Sequence, residues 1–195
     1  MMNEDNKGAG SSVAAKALAG REVLLGVCGG IAAYKAATLT SLLVKAGAGV
    51  TVVMTDEATK LVGPKTFEAL TRRPVALSMW DARLVHPHIE LARQAEVFCV
   101  VPATANIMAK AACGIADDLM STTILAFDGT IIMAPAMNAV MWRKPATQRN
   151  VRQLVEDGVV MVGPETGRLS CGEAGVGRMS EPEEIFETIA NALGK

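Results

Sequence analysis

Five short apolar runs, at 23–27, 50–54, 97–101, 130–133 and 159–162, recur along the chain with helix-forming stretches between them. This alternation restricts the fold more than any other feature. Each run is rich in Val, Ile, Leu or Met and lacks the polar–apolar alternation of a half-solvated strand, so each reads as a strand buried on both faces of a parallel sheet. Between the first two runs, Leu39, Leu42, Leu43 and Ala46 recur at helical spacing, and Gly47 supplies the left-handed residue that ends a helix. That makes a βαβ unit. Further helices are expected across 66–70, 88–94, 105–112, 117–127, 145–157 and 182–193, which gives an α/β, doubly wound parallel sheet. With 195 residues, half of them hydrophobic, there is material for one domain with a sizeable core. Residues 1–20 mix Gly, Ser, Ala and charge without periodicity and read as a flexible leader to a domain at 21–195.

On such sheets ligands collect where the strands end at their carboxyl side. The unusual residues of this chain sit there: Cys28-Gly29-Gly30 after the first strand, Thr55 after the second, Pro102-Ala103-Thr104 after the third and Pro135-Ala136-Met137-Asn138 after the fourth. The turn Gly26-Val27-Cys28-Gly29-Gly30-Ile31 is small enough for a phosphate oxygen to reach backbone N–H groups at a helix start. It departs from the dinucleotide fingerprint, with Ala33 in the third glycine's place, and it has no Walker Lys-Ser pair. Phosphate binding and simple tight packing both remain open for it. The hydroxyls of Thr55 and Thr104 favour a mononucleotide.

His88 stands where a loop enters a short helix. Its imidazole can take or hold a proton near neutral pH, although a histidine so placed is equally a cap or a surface residue. His86, in a His-Pro turn, is the weaker candidate. The amide of Asn138 can donate to and accept from a carboxylate, or it can cap the next turn. Met137, Met141 and Trp142 form an apolar wall or fill the core. Cys171 lies in the glycine-rich stretch 167–178, read as a flap that closes over substrate, with Arg168 and Arg178 flanking it and the thiol able to deliver a proton. Cys28, Cys99 and Cys113 are read as small buried hydrophobes.

Composition excludes several classes. Nineteen basic against twenty acidic residues give a formal net charge of −1, and aromatics make up 4%, so neither a nucleic-acid field nor a stacking platform is present. The four cysteines are far apart with no Cys-x-x-Cys pair, which argues against disulfides and against a metal site. No apolar run approaches the roughly 20 residues of a membrane span. The polar, acidic start is unlike a secretory signal, and a cytoplasmic protein is expected.

Gly29-Gly30-Ile31-Ala32-Ala33-Tyr34-Lys35, His88-Ile89-Glu90-Leu91-Ala92, Pro102-Ala103-Thr104-Ala105-Asn106, Pro135-Ala136-Met137-Asn138-Ala139-Val140-Met141-Trp142 and the Cys171 loop occur in that order along the chain. With these motifs, the chain resembles the homo-oligomeric flavin-containing cysteine decarboxylases over nearly everything after residue 20. The resemblance implies a flavodoxin-like, Rossmann-like flavoprotein that holds FMN with Gly29, Gly30 and Ile31, with Thr55, with Thr104, Ala105 and Asn106, and with Ala136. It implies His88 as the essential histidine, Asn138 and Met137 at the substrate, and trimers with flavin between subunits, often grouped into dodecamers. Arg178 and Lys35 are the candidates for holding the substrate's phosphate. Ile107 departs from the threonine common in relatives, so a hydroxyl contact to the flavin is expected to be missing.

Within that family Cys171 fills the position of a reductive acid. This favours the redox-neutral reaction, in which a phosphorylated pantothenoylcysteine loses CO2 to give 4′-phosphopantetheine, with the enzyme that makes its substrate as a separate protein. The resemblance leaves three rivals: oxidative decarboxylation of a peptide's C-terminal cysteine, a non-catalytic flavin-binding regulator, and a flavin prenyltransferase, which would lack the His88, Asn138 and Cys171 set.

Overall fold

The computed structural model describes residues 17–80, 85–168, 172 and 174–194. Five parallel strands, β1 (Glu22–Val27), β2 (Gly49–Met54), β3 (Val97–Ala103), β4 (Thr130–Pro135) and β5 (Val160–Met161), form one sheet in the order β2-β1-β3-β4-β5. All four neighbouring pairs are parallel. The chain therefore moves outward from β1 to β2, crosses back to β3 and continues the other way, which opens a crevice between the carboxyl ends of β1 and β3.

The strands alternate between two apolar clusters. Val23, Leu25 and Val27 face one, where α1 (Ala33–Lys45), α3 (Pro64–Thr71) and α9 (Pro182–Ala192) supply Leu39, Leu43, Phe67, Ile185 and Ile189. Leu24, Phe98, Val100 and Met133 face the other, which is covered by α4 (Pro87–Arg93), α5 (Ala105–Cys113), α6 (Leu119–Ala126) and α8 (Pro145–Glu156). Burial on both faces explains why these strands read as unbroken apolar runs. Gly47 ends α1 at a φ of +90°, as its position suggested. Two short helices, α2 (Asp56–Thr59) and α7 (Ala139–Arg143), come after β2 and β4.

Several boundaries differ from the sequence reading. The fifth strand shrinks to two residues, and β3 runs on to Ala103. The packed part of the chain starts before residue 21: Leu18 is 1% exposed within the first cluster, and its N–H donates to the Ala46 carbonyl at 2.9 Å. The stretch read as a glycine-rich flap is in part an antiparallel hairpin, β6 (Glu165–Arg168) with β7 (Ala174–Arg178). Among the described residues, no helix is long and apolar enough to cross a membrane, and no cluster of metal-ligating side chains occurs.

Candidate active site

At the carboxyl edge of the sheet lies a cleft of about 1080 Å³. That is near the upper end of the range for small-molecule sites, about 300–1,000 Å³, and gives room for a cofactor with a second small molecule beside it. Gly29, Gly30, Ile31, Thr55, Thr104, Ala105, Asn106, Ala136, Met137, Asn138 and Arg178 all line it. The residues singled out after β1, β2, β3 and β4 are thus brought to one place by strand order.

Each wall has a local cause. Gly29 sits so close to α2 that a Cβ there would lie 2.3 Å from Glu57 Cβ, so only glycine lets the turn and α2 meet. Beyond it the N–H groups of Ile31 and Ala32, ahead of α1, have no hydrogen-bond partner among the described residues, while Gly30 and Ala33 are bonded within the turn. Thr55 and Thr104 are N-caps, accepting from Ala58 N–H and Ile107 N–H at 3.3 Å each. The N-termini of α1 and α5 therefore bring donors and partial positive charge to the cleft, whereas the one-turn α2 opens with the carboxylates of Asp56 and Glu57. Ile107 is 2% exposed, and its N–H supports the Thr104 cap, so its side chain serves the second core cluster.

Much of the remaining lining is soft and apolar. Met54, Met79, Met120, Met137 and Met141 line it, with Leu77 and Trp80 at the rim. Trp142 instead packs against the second core cluster. Asn138 is both cap and cleft residue: its Oδ1 accepts the Val140 N–H at 2.7 Å at the start of α7. The hairpin closes this side, with the Met137 N–H donating to the Gly177 carbonyl at 3.0 Å.

His88 is elsewhere. It lies on α4, is half-buried, and is not among the residues that line the cleft; its Nδ1 is buried with no hydrogen-bond partner among the described residues. Cys171 falls outside the described residues. Cys28 lines the cleft at 1% exposure, and burial pushes its thiol up to about 12 despite a backbone hydrogen bond from Thr104, so it is neutral at ordinary pH. Burial also raises the Cys99 thiol. Cys113, expected to be buried, is exposed at the end of α5.

The sequence reading missed one charged cluster in the cleft. Lys110 Nζ lies 2.6 Å from Asp117 Oδ1 and 2.5 Å from Asp118 Oδ2, and all three residues line the cavity. Hydrogen bonds to Asp117 and Asp118 raise the Lys110 ammonium. Burial pushes the Asp118 carboxyl up, but Lys110 and Ser121 outweigh it and hold it below its ordinary value. Lysine and aspartate are ordinary surface residues, and only the α5–α6 turn places them on the cleft.

A family model described as Flavoprotein matches residues 12–194. The chain belongs to the flavoprotein family. This flavoprotein is 46% identical over 178 residues to the coenzyme A biosynthesis bifunctional protein CoaBC of Vibrio cholerae, a match covering 90% of this chain and 45% of that protein. The flavoprotein chain thus spans less than half the length of that relative. Its fold matches the FMN-dependent cysteine decarboxylase SpaF at a TM-score of 0.77 and 37% identity, covering 90% of this chain and 97% of the other. It also matches a PPC decarboxylase mutant complexed with pantothenoylaminoethenethiol, at a TM-score of 0.80 and 31% identity, covering 90% and 99%. The unpaired amides of Ile31 and Ala32, the capping hydroxyls and the methionine-rich lining fit a phosphorylated flavin: donors for its phosphate and a polarizable surface for its ring.

Proposed function

We propose that this flavoprotein binds FMN and converts 4′-phospho-N-pantothenoyl-L-cysteine to 4′-phosphopantetheine and CO2, a step of coenzyme A biosynthesis carried out in the cytoplasm. One observation carries the reading: the Asn138 loop and the open amides of Ile31 and Ala32 line the same cleft, so an amide able to bind a carboxylate and donors able to hold a phosphate share one cavity. The likeness to CoaBC and to the PPC decarboxylase complex supports the substrate. The expected free-standing synthetase finds no support in that relative, which is a bifunctional single chain.

In this reading Gly29, Gly30 and Ile31 hold the FMN phosphate, Thr55 and the segment Thr104, Ala105, Asn106 hold the ribityl chain, and Ala136 abuts the ring. Bound FMN supplies the two-electron acceptor that turns the thiol-bearing carbon into a thioaldehyde, without which loss of CO2 would leave an unstabilised carbanion. Asn138, whose Oδ1 accepts from the Val140 N–H, meets the carboxylate through its side-chain amide, and Met137 packs beside it. The hairpin carrying Arg178 shields the site from water, which strengthens that contact. Cys171 would supply the proton that accompanies return of the same two electrons from the bound cofactor to the enethiol, so that the saturated thiol of 4′-phosphopantetheine forms and the reaction is redox-neutral. His88 takes the substrate's thiol proton. Because His88 does not line its own chain's cleft, it acts in a neighbouring subunit's site, consistent with trimers that hold flavin between subunits and group into dodecamers.

The likeness to SpaF, an FMN-dependent cysteine decarboxylase, supports a cysteine carboxylate as substrate and leaves a second reading, oxidative decarboxylation of a peptide's C-terminal cysteine. Incubating FMN-loaded protein with phosphopantothenoylcysteine and, separately, with a cysteine-ending peptide, then weighing the products, decides between them. Phosphopantetheine supports the first reading; a peptide lighter by CO2 and two hydrogens, with phosphopantothenoylcysteine untouched, supports the second.

A further inference from the structure

Two cations on the cleft wall, Lys35 of α1 and Arg178 of β7, converge on one carboxylate. Lys35 Nζ donates to both oxygens of Glu181 at 2.8 Å, and Arg178 Nη1 lies 4.0 Å from Glu181 Oε1. The other terminal nitrogen of Arg178 is hydrogen-bonded to Glu165, while its Nε is buried with no hydrogen-bond partner among the described residues. Lys35 and Arg178 both line the cavity.

The two carboxylates are not equivalent. Glu165 is tied in place, first by Arg178 and also by the backbone of Glu181, and these contacts hold its carboxyl below the ordinary glutamate range. Glu181 is fixed less firmly: its side chain is 48% exposed at the start of α9, and Lys35 is its close partner. If Glu181 swings into solvent, Lys35 and one arm of Arg178 face the cavity without a counter-charge, while Glu165 keeps the arginine in position. A doubly charged phosphomonoester with three acceptor oxygens then meets both cations and outcompetes a single carboxylate.

We infer that Glu181 is a resident stand-in for an anion: Lys35 and Arg178 form a phosphomonoester subsite that Glu181 fills until the substrate's phosphate displaces it. This rests on the phosphorylated substrate of the proposed function and adds how that phosphate is recognised. Selectivity arises from the exchange. A neutral alcohol in place of the phosphate cannot displace Glu181, so an unphosphorylated analogue gains nothing from either cation, and the resident carboxylate acts against it.

The test measures binding apart from turnover. FMN-loaded protein is titrated by calorimetry with 4′-phosphopantothenate and with pantothenate, neither of which carries a cysteine to decarboxylate. The native protein is expected to prefer the phosphorylated ligand. Glu181→Gln removes the competing charge and widens the ratio of the two affinities by about tenfold, the scale of one charge-assisted hydrogen bond released to the ligand. Lys35→Gln brings the ratio close to one, and Lys35→Arg restores part of it. Equal affinities in the native protein, or a ratio in Glu181→Gln no larger than native with flavin content and melting temperature preserved, would overturn the subsite. Should Glu181→Gln not fold, an unchanged ratio in Lys35→Gln overturns it equally. Native preference for the phosphorylated ligand without decarboxylation of phosphopantothenoylcysteine would instead sink the proposed reaction and leave the subsite standing.

Discussion

Gly177 and Met137 are locked face to face: the Met137 N–H donates to the Gly177 carbonyl at 3.0 Å, and a Cβ on Gly177 would lie 2.2 Å from the Met137 carbonyl oxygen. The φ of Gly177 is +153°. Gly175 is similarly close to α7, where a Cβ would lie 2.8 Å from Ala139 Cβ. The hairpin can lie on the Asn138 loop because its contact face has no side chains. Gly177→Ala should therefore push β7 off that loop, lowering kcat/KM at least tenfold at a stability cost of about 1–3 kcal/mol. Steady-state kinetics with a urea melt would show it, and native kcat/KM in the variant would contradict the docking role.

Thr104 has two duties, capping α5 and facing the cleft. Thr104→Ala is expected to weaken FMN binding about tenfold and to destabilise the fold by about 1 kcal/mol, the usual value of a lost threonine cap. Thr104→Ser should recover most of both. Flavin fluorescence titration reads the first effect and denaturant unfolding the second; equal FMN affinity in the alanine variant would remove Thr104 from the cofactor site.

Asp118 caps α6 and pairs with Lys110, and its folded carboxyl titrates below its ordinary value. A depressed carboxyl gives stability that is present above the unfolded pKa of about 4 and is lost as pH falls through the lower folded value. Asp118→Asn keeps a capping oxygen but loses the charge. It should be less stable than the native protein by about 0.5–1 kcal/mol at pH 7, as expected for a partly exposed pair, with the gap closing toward pH 2. Denaturant midpoints across that range check this, and a gap independent of pH would rule out the ionic contribution.

His88 and Asn138 are separated in one chain, and a site shared between subunits requires them to meet across an interface. Neither His88→Asn nor Asn138→Ala should turn over substrate alone. Unfolded together and refolded as mixed oligomers, they should regain about a quarter of native activity, because random assembly pairs both intact residues at that frequency in a symmetric ring. Activity that stays at background in the mixture would place both residues in one subunit's site.

Much of this was legible in the sequence, and the reasons are physical. Strands β1 to β4 were visible because burial on both faces leaves only apolar residues, and the cleft was visible because strand order gathers the turns at the strands' carboxyl ends. The hairpin was not, since Glu165-Thr166-Gly167-Arg168 carries no apolar alternation and β7 meets Met137 and Ala139 through Gly177 and Gly175, which leave no apolar pattern in the sequence. Lys110, Asp117 and Asp118 were passed over because nothing in their spacing separates them from a solvated turn. The motif order grouped His88 with the other site residues, yet one chain's fold keeps it out of its own cleft, a relation that no linear pattern can express.

The hairpin belongs to a separate two-stranded sheet and pairs with none of the five central strands. Lifting it would break the Met137–Gly177 contact and leave every parallel ladder intact. An opening of the hairpin would therefore be local, with a free energy well under that of global unfolding, and amide protons of β7 should exchange with deuterium long before those of β1 and β3.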